Sequence, residues 1–308
     1  MKKDVIICGS AECVYAAALA CLLTNFQLSI SLYCTDELAA GRFQELASAA
    51  DLQANVSMKR AEAADFKAAD LLLITDLKAF SSDTKVESDI QANLTLFQRL
   101  IATAMGNGFA GKICSLQKYD ALFVYFAWRF SGLPQNDILG FGTFPLTLLL
   151  ERLLQKQLHV GAHDVRAYVI GTQNRPTIAW SRAYVGVAPI LKLMASEEIA
   201  FDADKMTQLE KRVQTESQVT QFALQAVCLQ TVLRALLFSG GLLAPFTTLH
   251  TKEANQTLAY SMPVYLDHTG VRQVAPLVLS KTEQSEIEEI ITATRGAITK
   301  IEQGDLRA

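Results

Sequence analysis

Short apolar runs and amphipathic helical stretches take turns along the first half of the chain, and this alternation leaves few folds open. Val5-Ile6-Ile7-Cys8 is an apolar run halted by Gly9, the signature of a buried strand followed by a turn. Residues 11–24 then read as an Ala/Leu-rich helix and Leu28–Cys34 as a second strand. Ala69-Asp70-Leu71-Leu72-Leu73-Ile74-Thr75 is another strand, residues 86–105 form a long amphipathic helix, and residues 112–116 return to strand. Strands alternating with helices imply βαβ units, right-handed crossovers and a parallel sheet covered on both faces.

The character changes near residue 145. A Leu-rich helix is expected over 146–158, strands over 165–171 and 177–187, and one long helical pattern, with a kink allowed, over 204–238. A hairpin follows: Met262-Pro263-Val264-Tyr265-Leu266, a turn at Asp267-His268-Thr269-Gly270, and a return strand over 271–277. The last helix begins at Ser280, whose Ser-x-x-Glu spacing to Glu283 is a capping box. Its apolar stripe is Ile287, Ile290, Ile291, Ile298 and Ile301. The fold class is therefore α/β. A Rossmann-like, doubly wound domain over residues 1–144 precedes an α+β C-terminal domain over residues 145–308.

Composition narrows the partners. In 308 residues half are hydrophobic and the formal net charge is −3. No dense Lys/Arg run exists, so neither nucleic acid nor a membrane surface is an expected partner. No apolar run reaches the roughly 18 residues a membrane helix needs. Lys2 and Lys3 precede an apolar stretch ending Ala18-Leu19-Ala20-Cys21, but Asp4 and Glu12 interrupt it. It reads as a strand and helix rather than a secretion signal, and the chain as cytoplasmic. Cys8, Cys13, Cys21, Cys34, Cys114 and Cys228 form no C-x-x-C and read as free thiols acting as small hydrophobes. His159 and His163 have helical spacing, but Gly161 between them breaks the helix, and no metal site is expected.

Specific words then narrow the family. Ser131-Gly132-Leu133-Pro134, with Ile138-Leu139-Gly140-Phe141-Gly142-Thr143 after it, resembles a segment of the lactate/malate dehydrogenases. So do Ala167-Tyr168-Val169-Ile170-Gly171, Ala179-Trp180-Ser181 and Val185-Gly186, along with the C-terminal hairpin and helix. The similarity covers essentially the whole chain, and the shorter bacterial L-2-hydroxyacid branch is the nearest in character. It implies NAD as cofactor, an L-2-hydroxy acid as substrate, and assembly into a homo-oligomer or a hetero-oligomer with a related dehydrogenase.

Against that resemblance, the positions that carry the chemistry hold other residues. Where the family has its acid/base histidine, two residues beyond the Ile-Gly word, stands Gln173, and an amide does not titrate near neutral pH. The orienting aspartate and carboxylate-gripping arginine fall at Leu146 and Leu149, which can do neither job. The loop arginine, seven residues before the retained Asn93, falls at Val86; the neighbouring Lys85 is a weak substitute. The Thr-Asn-Pro word is Gln117-Lys118-Tyr119, and Arg175 offers a new anion contact near Gln173. Of the three cofactor-loop glycines only Gly9 remains, in Gly9-Ser10-Ala11-Glu12-Cys13-Val14. Ala11 crowds the pyrophosphate approach, Val14 the helix–strand packing, and Glu12 adds negative charge at an anion site. The ribose-binding acid falls at Cys34, with Asp36 two residues on. Gly9 and Asn93 are thus the retained cofactor-binding candidates, and no catalytic residue is retained.

The reading that follows is a lactate/malate dehydrogenase-like pseudoenzyme with a binding, assembly or regulatory role. An active NAD-dependent oxidoreductase with altered substrate, using Lys85, Lys118, Gln173 or Arg175, is the alternative. A third is a binding module whose groove, lined by Leu146, Leu149 and Leu224, takes an apolar molecule unless the leucines simply fill it.

Overall fold

The structure, a computed structural model, describes residues 2–36, 40–80, 85–193, 201–218, 222–252, 256–273 and 277–303. The first half runs β1 (Lys3–Gly9), α1 (Ala11–Leu22), β2 (Leu28–Cys34), α2 (Ala40–Asp51), β3 (Val56–Arg60), α3 (Ala63–Ala68), β4 (Leu71–Ile74), α4 (Val86–Gly106), β5 (Lys112–Ser115), α5 (Asp120–Ser131) and β6 (Ile138–Gly140). The six strands pair in parallel in the order β3-β2-β1-β4-β5-β6. This is the doubly wound sheet that the alternating pattern implies. Strand β1 shows why its sequence is apolar throughout. Val5 and Ile7 point into one core with Val14, Ala17 and Cys21 of α1. Ile6 and Cys8 point into the opposite core with Phe97 and Ile101 of α4 and Phe123 of α5. A strand covered on both faces has no polar side to show.

The second half runs α6 (Phe144–Leu158), β7 (Val165–Arg166), β8 (Val169–Thr172), β9 (Arg175–Ile178), β10 (Tyr184–Val185), β11 (Ala188–Pro189), α7 (Ile190–Leu193), α8 (Ala203–Gln218), α9 (Phe222–Leu237), β12 (Leu242–Lys252), β13 (Gln256–Asp267), β14 (Gly270–Gln273) and α10 (Lys281–Gln303). It extends the same sheet rather than starting another. Strand β12 lies antiparallel to β6, with Thr247 opposite Gly140, and β13 carries the pairing on to β8, with Ser261 opposite Gly171. The boundary at residues 144/145 is therefore crossed by one continuous sheet.

Several expectations are corrected. The helical pattern over 204–238, for which a kink was allowed, is divided into two helices, α8 and α9, set at 90° to each other. The strand expected over 177–187 stops at Ile178, because Trp180–Arg182 forms a turn of 3-10 helix before β10. The hairpin over 262–277 pairs as expected through β13 and β14 as far as Gln273, and residues 274–276 of the expected return strand lie outside the described residues. Strand β12 was not foreseen. Its Pro245 argues against a central strand, yet Pro245 faces Pro263 across the ladder, so both missing N–H donors fall at one rung. No single helix among the described residues is long and apolar enough to cross a membrane. The six cysteines are all free.

The capping box of α10 does more than close a helix. Glu283 accepts the Ser280 N–H at 2.8 Å, and Ser280 Oγ accepts the Glu283 N–H at 3.3 Å. The same carboxylate accepts the Ser181 N–H at 2.9 Å and the Ser181 hydroxyl at 2.5 Å, tying α10 to the turn after β9. Burial opposes charge on Glu283, but the hydrogen bonds from Ser181 and Ser280 outweigh it and hold the carboxyl below its usual value. A depressed acid contributes stability above its unfolded pKa and loses it as pH falls through the folded one. Glu283→Gln is expected to lower stability by roughly 1–3 kcal/mol at neutral pH. The gap should shrink as pH falls below about 4. Thermal unfolding of both forms at about pH 7 and about pH 3 checks this, and equal gaps would contradict it.

Candidate functional site

In an open α/β sheet the ligand crevice lies beyond the carboxyl ends of the strands, where the strand order reverses. Here the reversal is between β1 and β4. Gly9 ends β1 under severe crowding, since a Cβ there would strike the Thr75 hydroxyl. The chain then turns through Ser10, and the Ser10 N–H donates to the Asp76 carbonyl at 2.8 Å. At the start of α1 the Ala11 N–H donates to Asp36 Oδ1 at 2.5 Å. Thr35 bridges the same edge. Its N–H donates to the Gly9 carbonyl at 2.9 Å, and its hydroxyl lies 2.5 Å from the Leu77 carbonyl. The chain's own atoms thus cross the crevice and cap the helix.

The field at this edge is negative. Burial raises the Cys13 thiol, and the charges of Asp76, Glu12 and Asp36 push it the same way. Cys34, at the end of β2, is pushed up to about 11 by burial and by Asp36. Val14, at the third glycine position, is wholly buried against the sheet. A dinucleotide would set its pyrophosphate at the start of α1. The residues present do not fit it: the Ala11 amide is already bonded, and three carboxylates surround the place where two phosphate charges would lie. Asp36, considered from sequence as a ribose contact, accepts the first amide of α1.

The loop from β4 to α4 is built around Asn93. Its side chain is fully buried, accepts the Leu77 and Lys78 N–H groups at 3.0 and 2.9 Å, and donates to the Lys78 and Asp89 carbonyls at 3.0 and 3.1 Å. That uses both donors and both acceptor positions of the amide, so Asn93 fixes the loop. Val86 is the first residue of α4 and is exposed, with Lys85 at the N-cap.

The loop from β5 to α5 brings Gln117, Lys118 and Tyr119 to the same edge. The Lys118 N–H donates to Asp76 Oδ1 at 2.8 Å. Burial pushes the Asp76 carboxyl up to about 6, against the opposing pull of Lys118. The Lys118 ammonium sits over the rings of Phe80 and Tyr119, 5.5 and 5.7 Å from their centroids. Sequence reasoning passed over Thr35, and noted Asp76 only as part of Asp76-Leu77-Lys78 in place of a small-residue turn. A lone acid or threonine after a strand carries no signal until the fold shows what lies opposite.

Gln173 is buried at the two-residue turn between β8 and β9. Thr147 Oγ1 accepts the Val169 N–H at 3.0 Å and Thr143 Oγ1 donates to the Val169 carbonyl at 2.5 Å, which rivets the first turn of α6 to β8. This places Leu146 in the core of the second half, wholly buried with Leu150, Val169 and Trp180. Leu149 and Leu224 are half-buried. Leu146 fills space and opens no groove. Among the described residues no cluster of His, Cys, Asp or Glu could hold a metal ion.

Comparison with known proteins fits this geometry. The family model for the lactate/malate dehydrogenase alpha/beta C-terminal domain matches residues 149–304. The chain belongs to the lactate/malate dehydrogenase family. The L-lactate dehydrogenase of Geobacillus stearothermophilus is 25% identical over 219 residues, covering 68% of this chain and 69% of its own. L-lactate dehydrogenase 1 of Bifidobacterium longum is 22% identical over 297 residues, covering 93% and 94%. In structure, the lactate dehydrogenase MGS-M5 from a deep-sea metagenome superimposes with a TM-score of 0.85 at 20% identity, over 98% of this chain and 99% of that one. The malate dehydrogenase of Plasmodium falciparum does so with 0.84 at 17% identity, over 99% and 100%. The lactate/malate dehydrogenase fold is thus present from end to end, with Gln173, Leu146, Leu149 and Val86 at the positions the sequence resemblance gives to the reacting and substrate-gripping side chains.

Proposed function

We propose that this chain keeps the lactate/malate dehydrogenase fold without hydride transfer and acts through binding or assembly. The observation that carries the reading is Leu146. A wholly buried leucine stands where the family's orienting aspartate is expected, and a buried glutamine stands where the histidine is expected. Proton transfer by a positioned group contributes roughly two to four orders of magnitude to rate. With no titratable group at Gln173 and no charge at Leu149 or Val86, both proton shuttle and carboxylate clamps are missing. The capped start of α1 supports weak dinucleotide binding in the same sense.

A second reading rests on Asp76. Its carboxyl, pushed up to about 6, sits beside Lys118 at the edge where the family does its chemistry. In a working enzyme with altered substrate, Asp76 is the group that would take the proton. The two readings differ in turnover. The first predicts rates on lactate, malate and branched 2-oxo acids more than about a hundredfold below ordinary enzymes, whose kcat is roughly 10 per second. Turnover that rises through pH 6 and vanishes in Asp76→Asn would establish the second reading instead.

Assembly is part of the proposal, as a homo-oligomer or with a related dehydrogenase. Leu19 on α1, Leu23 at its C-cap and Val227 on the adjoining α9 are exposed apolar side chains that a partner could cover. Light scattering at micromolar concentration is expected to show an oligomer. A strict monomer, alone and mixed with an active relative, would remove this part of the account.

A further inference from the structure

A cavity of about 560 Å³ opens between α8, β9, the turn that follows β9 and the first turns of α10. It lies within the range of small-molecule sites, roughly 300–1,000 Å³. Its apolar part is formed by Ile178, Trp180, Leu191 and Val213. Leu191, on α7, is exposed, while the other three are buried. Three carboxylates line the cavity, Glu210 from α8 with Glu283 and Glu286 from α10, against one cation, Lys211.

Two of these carboxylates are held in place by the fold. The Trp180 indole N–H donates to Glu210 Oε1 at 2.7 Å, which fixes ring and carboxylate together and leaves Glu210 Oε2 without a partner among the described residues. Glu283 is fixed by the hydrogen bonds from Ser181 and Ser280, which keep it charged at neutral pH. Thr177 adds an independent observation. It is only 8% exposed and lines the cavity, yet its hydroxyl has no hydrogen-bond partner among the described residues. Buried hydroxyls are normally bonded. One that stands beside a cavity and outside the protein's own bonds is available to an occupant. A carboxylate only accepts and a hydroxyl accepts as readily as it donates, so these groups together call for a donor.

We propose that this cavity binds a small organic ammonium with an aromatic or branched apolar body. The ammonium lies among the Glu210 and Glu286 carboxylates and the Thr177 hydroxyl, and the apolar body covers Ile178, Trp180 and Leu191. The three hydrogens of a primary ammonium match three acceptors. Glu283 adds negative charge without a contact of its own, because Ser181 and Ser280 already bond it. Lys211 disfavours a second positive group on the ligand. The site goes beyond the loss of hydride transfer and does not rest on it, because none of Gln173, Leu146, Leu149 and Val86 lines the cavity, nor does any residue of the cofactor crevice. The turnover assay and this test therefore fail independently.

The test uses the full chain and 2-phenylethylammonium as probe, with 2-phenylethanol as its neutral counterpart, followed by calorimetry at neutral pH. The ammonium is expected to bind with a Kd below about 1 mM and the alcohol roughly tenfold more weakly. Glu286→Gln should weaken the ammonium by about three- to tenfold and leave the alcohol unchanged. Thr177→Val keeps the shape and removes the hydroxyl, so it should also weaken the ammonium. Lys211→Gln should tighten it. Gln214→Trp fills the cavity from an exposed position on α8, so it should abolish binding while the thermal midpoint holds. Equal affinity for ammonium and alcohol, undiminished binding in Gln214→Trp, or no binding of the ammonium at about 10 mM would each overturn the proposal.

Discussion

The two halves of this molecule are held in one frame by a buried contact among Asp120, Gly142, Thr247 and Ser261. The Gly142 N–H donates to Asp120 Oδ2 at 2.7 Å, and the hydroxyls of Thr247 and Ser261 lie 2.8 Å apart beneath it. Gly142 has φ 54°, and a Cβ there would run into Ser261 and the Thr247 backbone. Only glycine allows α6 to leave the parallel sheet at that angle while β12 and β13 close against β6 and β8. Burial pushes the Asp120 carboxyl up to about 6 despite hydrogen bonds from Thr247 and Gly142. It is therefore a polar pin in an otherwise apolar seam, costly to break because its partners are buried too.

Gly140, Gly142 and Thr143 serve the junction, as do Gly171 opposite Ser261 and Ser181 under Glu283. Their demands are steric and hydrogen-bonding, and they hold whatever the protein binds. Gln173, Leu146, Leu149 and Val86, with Ala11, Glu12 and Val14 at the helix start, stand where the sequence resemblance expects ligand-facing residues. At that start the backbone amides carry roughly half a positive charge. Asp36 answers it from within the chain, and Glu12 and Asp76 turn the surroundings negative. At this helix terminus the Ala11 amide is already taken by the chain's own loop.

Much of the fold was legible in the sequence because its signals are local. The apolar run ended by Gly9, the Ser280–Glu283 spacing and the isoleucine stripe of α10 each specify an element without help from afar. Strand β12 was not legible, because Pro245 speaks against a central strand and only its partner Pro263 makes the position tolerable. The break between α8 and α9 was legible only as a kink allowed in one long helical pattern. At the site, counting from Gly171 and Gly142 identified Gln173, Leu146 and Leu149. The use of Asn93 as a loop staple, Asp36 as a helix cap and Thr35 as a bridge depends on distances between loops, which no spacing along the chain encodes.

The central claim is that the chain's own carboxylate and loop atoms occupy the place of the cofactor's phosphates. Titration of the full chain with NADH, followed by calorimetry, tests it most directly. The account predicts no saturable binding up to about 1 mM, and a gain in Asp36→Ala, which frees the Ala11 amide and removes a negative charge. A Kd in the low micromolar range for the unsubstituted chain would contradict it.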